Sequence, residues 1–393
     1  MKNIRRLPAI GVLCLAFLPA RPAAAQLVPL GPETEVAVGN ELGLQCPQVI
    51  GHADRSFSVV WTQNPQVDQF SIVAQRFDGE GVLQGGRIDV DAGSLQHRLW
   101  AESRVASRGA LGDIVTWSSI SEISSGPPFR FDSRVLSAPA PAPARVATPS
   151  YVSRLSPRTA GGYVGTWAAR NACSFALFDA NGRLASPVAR IDGSDPSFCA
   201  AAIPSANGSF TLDWYHPNGT PSYRFRRFGP TAQPLGPESS AGDVAPSSIS
   251  FASAPDGRTS LAWVLFGLEG ISGTLRTQFF GADGRPASPA ATVETTPVPP
   301  NAFFPDAMAM DRQGRALILW HFLAFDPFVE RYSLQLRAPA GAASPILDLG
   351  AQPVHESVPF CASIASAGRT WVVAWRSVKP DVGDAIYVRR FSS

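Results

Sequence analysis

The run Phe57-Ser58-Val59-Val60-Trp61 is a short apolar strand closing on a tryptophan, and runs of its kind return along the whole chain. The counterparts are DIVTW (113–117), YVGTW (163–167), FTLDW (210–214), SLAWV (260–264), LILWH (317–321) and VVAWR (372–376). Their tryptophans are separated by 56, 50, 47, 49, 57 and 55 residues. A period near 50 marks one supersecondary unit repeated, not a string of unrelated domains.

Aligning the tryptophans brings out three further strands per unit. A first strand precedes each tryptophan run, as in CPQVIGH (46–52), SSISFAS (247–253) and CASIAS (361–366). Turns such as PDGR (255–258) and RQGR (312–315) join it to the tryptophan strand, because glycine tolerates the positive φ of tight hairpins. A third strand usually closes on an aromatic, as in FSIVAQRF (70–77), YRFRRF (223–228) and IYVRRF (386–391). A weaker fourth follows, as in RIDVD (87–91) and ATVET (291–295). Four antiparallel strands repeated seven times predict an all-β, seven-bladed β-propeller. An array of β-sandwiches with a similar period is the competing architecture.

Closure favours the ring. The seventh unit ends at Phe391 without a fourth strand, while LVPLGPETEVAVG (27–39) reads as a fourth strand without a unit. Placing the N-terminal strand in the last blade pairs both free edges, which otherwise invite aggregation. The seven tryptophans are expected to fill the wedges between blades, burying roughly 150–250 Å² each. Trp100 and Trp371 fall outside the column, and Trp371 is expected against the next blade.

The segments Ala74-Gln75-Arg76-Phe77-Asp78 and Phe178-Asp179-Ala180-Asn181-Gly182 follow the tryptophan strands of units one and three. In this respect the repeat resembles one found in bacterial exported and surface proteins, with the form G-x-F-x-V-x-W, a variable loop, then Q-R-F-D-x-x-G. The resemblance spans nearly the whole chain as a loose consensus. It implies a propeller and export, and it carries no catalytic residue.

Export is also legible at the N-terminus. Lys2, Arg5 and Arg6 precede the apolar stretch 7–18, and Ala23-Ala24-Ala25 supplies small residues for cleavage before Gln26. Residues 1–25 are therefore expected to be a signal peptide and 26–393 a single propeller domain, periplasmic or secreted after cleavage near Ala25. The 33 basic residues less Lys2, Arg5, Arg6 and Arg21 leave 29 against 31 acidic, a net charge of −2. No basic stripe remains, so neither nucleic-acid binding nor attraction to anionic membranes is expected. No later apolar run is long enough for membrane insertion, and a monomer is expected.

Four cysteines follow the leader: Cys46, Cys173, Cys199 and Cys361. Cys46 and Cys361 stand 15 and 14 residues before their tryptophans in the first strands of units one and seven, which are neighbours in a closed ring. A Cys46–Cys361 disulfide is expected there, with Cys173–Cys199 as the second pair; buried free thiols are the alternative. Closing so long a loop contributes ~4–5 kcal/mol on chain-entropy grounds, less any strain.

Motifs for chemistry are sparse. The five histidines form no HExxH or His-x-His pattern, no CxxC occurs, and neither a GxSxG elbow nor a phosphate loop is present. No metal and no cofactor is expected. Asp78-Gly79 and Asp283-Gly284 lack the other ligands of a calcium loop and read as turns. Loops between second and third strands vary in length and share one face, the usual place for binding on a rigid scaffold. Tyr215, His216, Phe266, Phe325 and Phe328 are the candidates for a contact surface there. Glu102, Arg104, Asp306 and Glu356 are candidates for the channel mouth, where paired carboxylates beside an arginine suit carbohydrate chemistry. The leading expectation is a binding scaffold for a protein or glycan partner. A carbohydrate-active hydrolase or lyase and a structural envelope protein are the alternatives.

Overall fold

Each tryptophan strand pairs antiparallel with the strands on either side of it, giving seven separate sheets in the computed structural model. It describes residues 26–39, 44–66, 69–92, 103–107, 112–120, 129–136, 144–146, 148, 152–169, 172–191, 202–205, 207–216, 222–240, 248–266, 272–296, 303–325, 328–353, 361–379 and 383–393. Blade one is typical, running Leu44–Gly51, Phe57–Gln66, Gln69–Phe77 and Leu83–Ala92. Among the described residues there is no helix, and none therefore long and apolar enough to cross a membrane.

The first strand of every blade contacts the first strands of both neighbouring blades, so seven inner strands close into a ring. The chain is a seven-bladed β-propeller. In blade three the first strand is Arg154–Pro157. Antiparallel order puts the second-to-third connections and the entries to the first strands on one face, called here the loop face. The tight turns occupy the opposite, turn face.

Blade seven is completed as the unpaired N-terminal strand requires. Val28–Pro29 and Thr34–Val38 both pair with Gly383–Ser392, with Val28 opposite Ser392 and Val38 opposite Ala385. Both Cys46 and Cys361 are in place for the expected bond, which forms with their Cα atoms 5.0 Å apart. The amide of Val49 also donates to Ser363 Oγ at 3.1 Å across this junction. Gly51 lies so close to the Ser366 carbonyl that a Cβ would overlap it, which explains the glycine in an extended strand. Cys173 is disulfide-bonded, and the expected partner Cys199 lies outside the described residues. So do residues 1–25 and Trp100.

The core is a set of wedges, one between each pair of blades. Trp117 packs with Ile50, Val60 and Val90 of blade one. Trp167 packs with Ile114 and Phe131 of blade two, and Trp320 with Ala252 and Leu275 of blade five. Trp61 packs with Val372, Ala374 and Val388 of blade seven. All seven column tryptophans are buried, Trp167 being the most exposed at 4%. Each of those four points at the preceding blade. Trp371 does too, packing with Leu317, Leu319 and Leu334 of blade six, not on the next blade as the sequence suggested. The strand period is two, so Trp371 and Trp375 share one face.

Arginines lace the turn face. Arg227 donates to the Ala282 carbonyl of blade five at 2.9 Å, and Arg258 of blade five to the Gln313 carbonyl of blade six at 2.9 Å. Arg158 of blade three reaches the Pro230 carbonyl of blade four at 2.7 Å. Arg76 reaches the Leu136 carbonyl of blade two, and Arg390 the Gly79 carbonyl of blade one. This gives the Arg-Phe pairs 76–77, 227–228 and 390–391 their meaning. The phenylalanine is buried inside the ring while the arginine fastens the next blade. The Asp-Gly sequences are turns, as expected: Asp78 Oδ1 accepts from the amides of Glu80 at 2.9 Å and Val82 at 2.8 Å.

Candidate functional site

The ring of first strands encloses a central channel of about 330 Å³, lined from all seven blades by residues such as Gln48, Arg104, Ser156, Ile203, Phe251 and Asp306. Arg104 and Asp306 thus face the same channel, while Glu102 and Glu356 lie outside the described residues.

The tryptophan strands, next outward from this wall, show where individual blades depart from the repeat. The residue before the tryptophan is Val60, Thr116, Thr166, Ala262, Leu319 or Ala374 in six blades, and Asp213 in blade four. The residue after it is Thr62, Ser118, Ala168 or Val264 in four blades, but Tyr215, His321 and Arg376 in blades four, six and seven. These positions lie near the middle of the ten-residue second strands of blades one, six and seven and near the loop-face end of the shorter Phe210–His216 in blade four. An ionisable group where the fold needs only a small or apolar one costs stability, and such local violations concentrate at functional sites.

Asp213 is the sharpest of them. Burial raises its carboxyl to a pKa of about 7, against the opposing pull of its own backbone and of Arg154 and Arg104. Beside it Tyr215 and Tyr223 are register partners with ring centroids 5.5 Å apart. Burial, then the Asp213 charge and Tyr215, push the Tyr223 hydroxyl above its ordinary value. Arg104, which faces the channel, and Arg154 act on the Asp213 charge from the first strands of blades two and three, and Tyr215 and Tyr223 lie beside that carboxyl within blade four. A carboxyl titrating near pH 7 can exchange a proton with a bound molecule, and the arginines can hold an anion.

Blade six supplies a second group. His321 Nδ1 lies 2.7 Å from Asp306 Oδ2, with the Phe304 ring 5.3 Å and the Tyr332 ring 5.9 Å from the imidazole. Burial raises the Asp306 carboxyl, while His321 works against that rise. In blade seven Arg376 donates to Asp384 at 2.5 Å, both side chains being buried. Among the described residues no group of three or more His, Cys, Asp or Glu is placed to hold a metal ion.

The aromatic candidates sit in strands, not in loops. Tyr215 and His216 end the strand Phe210–His216, and Phe266 ends Thr259–Phe266. Phe266 is partly buried against the cluster containing Trp320. Phe325 and Phe328 face each other as register partners across a connection of only residues 326–327. The His216, Phe325 and Phe328 side chains are outside what is described. Asp213, Tyr223 and His321 escape motif reading, yet the column alignment marks Asp213 and His321 as the odd members.

No protein-family model matches the chain, and no curated protein matches it. Among solved structures it is similar to an ulvan lyase, a polysaccharide lyase bound to a GlcA(1-4)Rha3S unit. The TM-score is 0.51 at 10% identity, covering 90% of this chain and 95% of that one. The β-propeller domain of the Trilobed protease from Pyrococcus furiosus has a TM-score of 0.47 at 10% identity, with 89% and 94% covered. For Trypanosoma rangeli sialidase the values are 0.40, 10%, 93% and 57%. At such identity the likeness concerns the fold alone.

Proposed function

We propose that the protein is an exported binding propeller that holds an acidic glycan at the loop-face mouth of its channel. The observation that carries this reading is Asp213, a carboxyl set in an otherwise uncharged column position and held near pKa 7 with Arg104 and Arg154 close by. With its carboxyl partly protonated at neutral pH, the cluster is net positive and attracts an anionic ligand. Tyr215 and Tyr223 offer aromatic surface to sugar rings, with Phe266 partly buried in the neighbouring blade. The Cys46–Cys361 disulfide agrees with an oxidising compartment.

A second reading is acid–base chemistry on the bound glycan, favoured by the same pKa, since a general acid or base works best near the ambient pH. Calorimetric titration with glucuronate-containing oligosaccharides, such as the unit held by the ulvan lyase of similar fold, separates the readings. The protein is expected to bind them over neutral oligosaccharides, with affinity falling at least tenfold in Arg104→Ala and declining with salt. Equal affinity for neutral and acidic sugars, or an unaffected R104A variant, would count against the proposal. Release of unsaturated product, lost in Asp213→Asn, would establish the enzyme instead.

A further inference from the structure

The third strand of most blades ends on a large aromatic: Phe77, Phe178, Phe228, Phe280 and Phe391. Across the strand pair this residue meets Phe57, Tyr163, Phe210, Thr259 and Trp371 respectively. Phe57 and Phe77 stack with centroids 4.8 Å apart, as do Phe210 and Phe228 at 5.4 Å. This ring pair fills the outer wedge near the turn face.

Blade two has Leu136 opposite Asp113 at this place, and blade six departs from the pattern on both strands as well, there with a cation. Arg337 takes the phenylalanine position, and its partner is Ala316. Both face blade five, because Ala316 belongs to the cluster that includes Leu275 and Phe279. A groove of about 350 Å³ opens between the two blades, lined by Thr277, Phe279, Pro289 and Ala290 of blade five and by Arg337 and Pro339 of blade six. That volume lies at the small end of ligand pockets, roughly 300–1,000 Å³.

The groove's one cationic side chain carries an unmet donor. Arg337 Nη1 is buried with no hydrogen-bond partner among the described residues. Arg258 and Arg227 differ in that their terminal nitrogens are engaged: Arg258 donates to the Gln313 and Arg312 carbonyls, and Arg227 to the Ala282 carbonyl and Ser209 Oγ, leaving only the Arg227 Nε unmet. Burial alone holds the Arg337 guanidinium below the ordinary arginine value, with no neighbouring carboxylate contributing. Two residues earlier on the same strand face, Gln335 is 7% exposed and its Oε1 also lacks a partner, while its Nε2 donates to the Ser344 carbonyl at 2.9 Å. Leaving a buried donor unmet is costly, and an apolar groove around a guanidinium suits an apolar body carrying a carboxylate.

We propose that the groove between blades five and six is a binding site for a small apolar carboxylate, anchored by its carboxylate on Arg337 and by its body on Phe279, Pro289 and Pro339. The site is separate from the channel and independent of what the channel binds.

The test is a titration of the purified protein with 3-phenylpropionate and with 3-phenylpropan-1-ol, which shares the body and lacks the charge. The acid is expected to saturate one site at least tenfold more tightly than the alcohol. Arg337→Phe, which restores the aromatic of the other blades, and Arg337→Met, which keeps an unbranched apolar stem, are each expected to lose at least tenfold in affinity for the acid. A protein that shows no saturable binding of the acid, or that binds acid and alcohol alike, overturns the proposal. So does undiminished binding in either folded variant.

Discussion

The indole Nε1 of Trp117 donates to Asp91 Oδ2 at 3.0 Å, tying the second strand of blade two to the outermost strand of blade one. Trp320 makes the same bond to Glu294 Oε2 of blade five at 2.5 Å, and in both cases the acid precedes the tryptophan by 26 residues. The tryptophan therefore fills the wedge and is also tethered at its polar end. A buried indole N–H that keeps a carboxylate partner avoids the desolvation cost of an unmet donor.

Asp91→Ala is expected to lower unfolding free energy by about 1.5–3 kcal/mol, the range for a hydrogen bond to a charged acceptor. Asp91→Asn, which keeps an acceptor, should lose less. Urea denaturation followed by tryptophan fluorescence measures both; equal losses would show that a neutral acceptor recovers nothing, and no loss in either variant would show that the bond contributes nothing.

Asp213 makes stability depend on pH. Its carboxyl titrates near 3.8 when unfolded and at about 7 when folded, so the folded state holds an extra proton between those values. Stability is accordingly greatest, as far as this group goes, below pH 4, falls as pH rises to about 7, and is level above that. At 1.36 kcal/mol per unit the whole effect is up to roughly 4 kcal/mol. Asp213→Asn should flatten that slope and be the more stable protein at pH 8. Thermal melts of both proteins from pH 4 to 8 test this, and parallel curves would contradict it.

Reduction should loosen the ring at its junction. Loss of the Cys46–Cys361 bond in a Cys46→Ser, Cys361→Ser variant is expected to cost several kcal/mol, with about 5 kcal/mol as the chain-entropy figure. Gly51→Ala should also destabilise, since the new methyl would run into the Ser366 carbonyl. Calorimetry on the two variants, with and without reductant, separates the covalent effect from the steric one. Reductant should lower the melting point of Gly51→Ala and leave the cysteine variant's junction unaffected.

The turn-face arginines should be worth more than surface charges. Arg390 reaches the Gly79 carbonyl of blade one and, at 3.4 Å, the Leu30 carbonyl of the N-terminal strand. Arg390→Met keeps the apolar stem and removes both contacts, and a loss of about 1–3 kcal/mol is expected. Hydrogen exchange should then quicken first at Val28 and Pro29's neighbours on blade seven, where the strand ends meet. Exchange quickened evenly around the ring would refute the local role.

The ring was legible because wedges between blades impose one demand every 50 residues or so, and Trp61, Trp117 and their counterparts answer it with the same residue. The N-terminal strand was legible because blade seven lacked one. The site was less so. Asp213 and Arg104 are far apart in sequence, and only the packing of blades two, three and four around the ring brings the two charges within reach of each other. Phe325 and Phe328 read as loop residues because FLAFDPFVERY carries no glycine to mark its turn, yet the strands run on to a two-residue connection. Alternation places Trp371 on the face of Trp375 but does not tell which blade that face meets, and it meets blade six. Arg337 looked unremarkable until its column was known.

Val28 lies beside Ser392, so the two ends of the described chain leave blade seven at the same edge. Pulling them apart peels the N-terminal strand away pair by pair, the geometry in which a sheet resists force least. The tear cannot travel far inward, because Cys46 and Cys361 bridge the chain behind it and carry the load covalently. Everything between those cysteines, essentially blades one to six, is mechanically bypassed. Tethered at both ends, the propeller would give by a short fixed length and then hold, a tension limiter with its rotor intact.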